Sequence, residues 1–137
     1  MAQQDYILRQ IDVLGKIIGK VFSELLGIKN KGEIIEIEIL NQILKSELDM
    51  DIYRIFMLSD EELIKFLIED KNFNFSNIEQ TAEILYITGL NLQEIDHINS
   101  YKCLNSALNL LEFLSITDKN LSFNRINKIE NIKKIIN

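Results

Sequence analysis

Apolar residues recur at helical spacing almost from one end of the chain to the other. From Gln3 to Ile28, the residues Ile7, Ile11, Leu14, Ile18, Val21, Leu25 and Ile28 alternate four and three apart, and Leu8, Ile17, Phe22 and Leu26 widen this seam. A helix over 3–28 follows, apolar on more than one side and ended by Gly27, Lys29, Asn30 and Gly32. Residues 33–47 carry two periods at once. Ile35, Ile37 and Ile39 alternate with Glu36 and Glu38 as in a strand, whereas Ile35, Ile39 and Ile43 beside Leu40 and Leu44 fit a helix. Helix is the expectation, because a lone strand would leave its backbone groups unpaired. Residues 49–58 read as a connection with at most one short turn.

Side-chain chemistry marks three later helix starts. Ser59-Asp60-Glu61-Glu62 is a capping box with Leu58 and Leu63 in staple positions, so 60–70 should be helical. Ser76 with Glu79 suggests a second box before a helix carrying Ile78, Ala82, Leu85 and Tyr86, with Gly89 as its stop. A further helix is expected from about Leu92 to Ile116, turning Ile98, Tyr101, Leu104, Leu108 and Leu111 inward and Lys102, Asn105, Asn109 and Glu112 outward. Cys103 then falls opposite much of the inward stripe. Leu121, Ser122 and Ile126 supply cap and staple for a last helix with Ile129, Ile132 and Ile136 on one face and Lys133 and Lys134 at its negative end. The predicted fold is all-α: a single domain, 1–137, of about six helices, a long N-terminal helix followed by antiparallel αα-hairpins over 33–136.

Composition agrees with this picture. The chain has no proline and five glycines among 137 residues, so few positions interrupt a helix. At 47% hydrophobic and 26% charged it can bury a core without crosslinks, and its one cysteine cannot form an internal disulfide. No apolar run is long enough for an integral membrane segment, and no leader is evident at the N-terminus. A reducing, cytoplasmic setting is the expectation. Net charge is −6, with 15 acidic and 4 basic side chains between residues 33 and 97. That middle repels a phosphate backbone and favours basic partners, so nucleic acid is not an expected ligand.

Asp5-Tyr6-Ile7-Leu8-Arg9-Gln10-Ile11 with Leu14-Gly15 and Lys20, and later Ser59-Asp60-Glu61-Glu62-Leu63 and Ser122-Phe123-Asn124-Arg125, resemble small bacterial proteins grouped as a family of unknown function. Residues 77–89 followed by 92–116 resemble the helical hairpins of tetratricopeptide-like arrays. Ala82, Tyr86, Gly89 and Ala107 echo the small and aromatic positions of that repeat, though its period of about 34 residues, its tryptophan and its proline are missing. The likeness implies a helical interaction fold and brings no activity, cofactor or catalytic residue with it.

Chemistry is sparse. Glu94-Ile95-Asp96-His97 contains E-x-x-H, which on one helix face could share a metal; a full di-iron-type site would need a second chain and an inward acid such as Glu62 or Glu69. Asp49-Met50-Asp51 opens like a calcium loop, but Arg54 stands where glycine is needed and Tyr53 replaces a ligand. Gly15 to Lys20 imitates a phosphate loop one residue short, with Val21 in place of the hydroxyl. Paired acids such as Glu61–Glu62 and Glu69–Asp70 point apart on a helix and read as solvated faces. Gly15 and Gly19, four apart within a helix, suggest close approach of another helix, either the chain's own or a second copy's. The expected function is therefore a non-catalytic scaffold or adaptor for a protein partner, with no cofactor. Its expected interaction surface is Ile7, Ile11, Leu14, Gly15, Ile18, Gly19 and Phe22, which could also make a homo-oligomer. The alternative is a metal protein built across a dimer from Glu94 and His97.

Overall fold

A computed structural model describes the backbone of residues 2–137 and the side chains of residues 13–137. Within them the chain is all-helical: α1 (Ala2–Asn30), α2 (Ile37–Leu48), α3 (Ile52–Met57), α4 (Asp60–Lys65) continued by a π-helical turn (Phe66–Asp70), α5 (Phe75–Leu92), α6 (His97–Thr117) and α7 (Phe123–Ile136). No helix among the described residues is long and apolar enough to cross a membrane.

The α5–α6 hairpin is the centre. Ile78, Ala82, Leu85 and Leu92 of α5 meet Cys103, Leu104, Ala107 and Leu111 of α6 in one core that also takes Ile18, Val21 and Leu25 from α1 and Ile132 from α7. α1 lies parallel to α5: Gln80 Nε2 donates to the Gly15 carbonyl at 3.0 Å, and further along Asn91 Oδ1 accepts from the Ile35 N–H at 2.6 Å. α2 then runs back along α1, and Lys20 meets Glu47 near its end at 3.3 Å.

Several boundaries differ from the sequence expectation, each for a local reason. Residues 33–36 are extended and the helix begins at Ile37, so the strand-like and helix-like periods each describe part of 33–47. Both Ile35 and Ile37 are buried while Glu36 is exposed, and the bond to Asn91 holds the extended part. Within 49–58 there is a true helix, α3, because Asp51 caps it by accepting from the Tyr53 N–H at 3.0 Å. Asp49, at φ 51°, closes α2 in a left-handed cap, with the Met50 N–H bonded to the Leu44 carbonyl. The acids that open like a calcium loop are thus helix ends.

The Ser59 box is present with both reciprocal bonds, and Leu63 is buried beneath it. The second box sits two residues before the expected place: Asn74 and Asn77 cap each other's backbone N–H groups at 2.8 and 3.1 Å, while Ser76 is exposed. Amides make the same reciprocal bonds as hydroxyl and carboxylate. Gly89 does not end α5. It lies inside the helix, where an added Cβ would sit 2.6 Å from Leu104 Cγ, and its carbonyl accepts from Ser100 Oγ at 2.6 Å. It is a close-approach residue.

α6 starts at His97, capped by Asp96, rather than near Leu92. Its buried side is Ser100, Cys103, Leu104, Ala107, Leu108, Leu110, Leu111 and Leu114, whereas Ile98 and Tyr101 are 70% and 52% exposed. The expected inward stripe is therefore corrected at those two positions and at Cys103, which is completely buried. Small residues face α5 because the backbones come close there. Ser122 caps α7 as expected, but Leu121 is 72% exposed and forms no staple.

Candidate functional site

α1 places the described members of the expected interaction surface against the chain's own core. Ile18 is fully buried, Leu14 and Phe22 are half-buried against the core, and Gly15 and Gly19 face α5. A Cβ at Gly15 would meet Asn77 and Gln80 amide atoms at 3.7 and 3.8 Å, and at Gly19 a Gln80 atom at 3.8 Å. These are ordinary contacts, so the pair makes room for polar side chains of α5 rather than for a tightly apposed helix. Ile7 and Ile11 lie outside the described side chains.

Glu94 and His97 do not share a helix face. Glu94 belongs to the 93–96 turn and His97 is the first residue of α6. Both nevertheless line one open cleft of about 380 Å³ with Tyr101 and the α7 residues Ile135 and Ile136. Glu69 borders α6 near Asn109, twelve residues along from His97 or roughly 18 Å at the helical rise. Among the described residues no three His, Cys, Asp or Glu side chains are grouped to hold a metal ion.

Cys103 sits in the α5–α6 seam, where burial, reinforced by the charge of Asp96, pushes its thiol up to about 12. It is held in the protonated, unreactive form.

The α7 junction is polar but internally satisfied. Arg125 is 6% exposed and donates to Glu79 from α5 at 2.7 Å, to Asp118 at 3.0 Å and to the Leu114 carbonyl at 3.4 Å. Hydrogen bonding to Glu79 is the main cause raising its pKa, against burial. Asp118 is lowered by the Asn120 N–H and then by Arg125. Nearby, Lys128 pairs with Glu83 and lies 5.9 Å from the Tyr86 ring centre. Burial lowers its pKa while Glu79 acts in the opposite sense. No buried side-chain nitrogen or oxygen among the described residues lacks a partner.

A second cleft, about 470 Å³, opens where α4 and its π turn cross α6. Its floor is Ile64, Ile68 and Phe113, and its rim carries Asp60, Glu61, Lys65, Glu69 and Asn109. The wide turn is closed by the Lys71 N–H bonding to the Phe66 carbonyl, five residues back. It buries Leu67 and leaves Ile68 37% exposed. Phe113 is held edge-on to Phe75, ring centres 6.1 Å apart, which carries the apolar wall to the start of α5. Asn109 donates to Asp60 and fixes one edge. From the sequence, Glu61 and Glu69 read only as solvated acids on a helix. Ile64 and Ile68, one turn apart next to Glu61 and Glu69, were the available signal.

No protein-family model matches the chain, and no curated protein or solved structure matches it either.

Proposed function

We propose that this chain is a non-catalytic helical scaffold that binds a protein partner in the cleft between α4 and α6. What carries this reading is that Ile64, Ile68 and Phe113 gather into the apolar floor of one open cleft, whereas Met57, Ile116 and Leu121, though more exposed, line no cleft with them. The buried thiol and the internally paired Arg125 and Lys128 offer no group poised for reaction. Capture from native lysate with the wild-type chain and with Ile68→Asp tests it. A protein retained by the first and lost with the second is expected; recovery unaffected by the substitution overturns the reading.

Self-association through α1 is a second reading, supported by Val13, which is 53% exposed one turn from half-buried Ile17. Sedimentation of wild type and Val13→Asp should then differ in apparent mass. The metal alternative rests on Glu94 and His97 sharing a cleft and needs ligands from a second chain. Elemental analysis of protein purified without chelator decides it.

A further inference from the structure

We infer that the occupant of the α4–α6 cleft is an amphipathic helix of a partner protein whose apolar stripe is flanked by lysine and arginine, an assignment that rests on the interaction reading above. Ile64 and Ile68 stand one helical turn apart with Phe113 across from them, the spacing that receives apolar anchors at i, i+4 and i+7 of a helix lying in a groove. From Asp60 to Glu69 the wall spans ten residues, roughly 15 Å, which matches nearly three turns of such a helix.

Charge selects the flanks. Between residues 59 and 70 the chain carries five carboxylates and one lysine. Asp60 is held by Asn109, but Glu61 and Glu69 have no ion-pair partner among the described residues. Some acids elsewhere are answered from within, Glu47 by Lys20, Asp51 by Lys45, Glu79 and Asp118 by Arg125, and Glu83 by Lys128, and others such as Glu33 and Glu36 are exposed but do not line this apolar cleft. The open rim therefore keeps a negative field that attracts a basic flank and repels an acidic one. A second copy of this chain is a poor occupant. Its basic helix, α7, buries Ile132 and already commits Arg125 and Lys128 to ion pairs.

The test uses the full-length, isotope-labelled chain and three designed peptides of about 18 residues, or five turns. One has a leucine stripe with lysine flanks, one the same stripe with glutamate flanks, and one the leucine and lysine residues scrambled so that no stripe forms. The striped lysine peptide should shift amides around Ile64, Ile68 and Phe113. Glu61→Lys with Glu69→Lys should weaken it at least about tenfold, while Glu33→Lys with Glu36→Lys, exposed acids at the far end of α5, should change it less than about twofold. Circular dichroism of each variant confirms that it is folded. Equal binding of the glutamate or scrambled peptide, shifts confined to another surface, or indifference to the Glu61 and Glu69 reversals would overturn the assignment. If the lysate partner still depends on Ile68 while charge reversal does nothing, the basic flank is wrong and the interaction reading survives. If neither peptide nor lysate partner depends on Ile68, both fall.

Discussion

The α5–α6–α7 junction and the α4–α6 cleft share helix α6 but spend their side chains differently. At the junction a glycine admits Leu104, a buried guanidinium finds two carboxylates and a carbonyl, and Cys103 is sealed from water. Across α6, at the cleft, isoleucine and phenylalanine stay partly open and neighbouring acids meet no base among the described residues. The difference separates a surface committed to holding the chain together from one whose burial and charge remain available to another molecule.

Reactivity should expose this contrast most sharply. With its thiol pushed up to about 12 from an ordinary 9.0, Cys103 should have roughly a thousandfold less thiolate than a normal cysteine, and burial slows labelling further. Iodoacetamide at pH 8 should leave it unmodified in the native chain yet alkylate an Ile68→Cys variant readily, as mass spectrometry would read. Alkylation of Cys103 at the rate of the cleft cysteine would break the comparison.

Stability should follow the same division. Arg125→Met strands two carboxylates and should cost about 3 kcal/mol in urea unfolding, at the lower end for a buried pair because both acids are partly hydrated. Asp118 is depressed in the folded state, so its contribution is complete above the ordinary carboxylate pKa near 4 and is lost as pH falls through its lower folded value. The wild type should accordingly lose stability below about pH 4 more steeply than Arg125→Met. Coincident acid profiles would remove that pairing from the account.

Gly89→Ala should cost roughly 1–2 kcal/mol, since overpacking against Leu104 outweighs the gain in helix propensity. Gly15→Ala should act oppositely and stabilise by up to about 1 kcal/mol, because its Cβ meets only ordinary contacts. Smallest of all, Ile68→Gln in the open cleft should change the unfolding midpoint by an amount equivalent to no more than about 0.5 kcal/mol. A Gly15→Ala loss as large as that of Gly89→Ala would erase the distinction between these glycines.

These two glycines also show where the sequence was legible. Both sit within apolar stretches, and local rules read Gly15 with Gly19 as close approach and Gly89 as a stop; the structure gives close approach to Gly89. The Ser59 box and the Ser122 cap were readable because their bonds join residues three apart. Asn74 with Asn77 obeys the same geometry through amides, which lie outside the hydroxyl and carboxylate pattern that marks a capping box in sequence. On α6 the bulkiest residues suggested an inward stripe containing Ile98 and Tyr101. The seam instead selected Ser100, Cys103 and Ala107, whose size matters only once α5 lies against them. The cleft had a faint signature in Ile64 and Ile68 among acids, and nothing along the chain could show that Phe113 would stand opposite.

Sequence by itself determined that this chain is helical, roughly where most helices begin, and that its acids concentrate between residues 33 and 97. Those properties depend on interactions within four residues or on composition alone. Tertiary structure decided which acids find a base, which glycine carries a neighbour and which isoleucines stay open. Arg125 and Glu79, like the two walls of the cleft, lie dozens of residues apart in sequence, and only helix packing brings them within reach of one another.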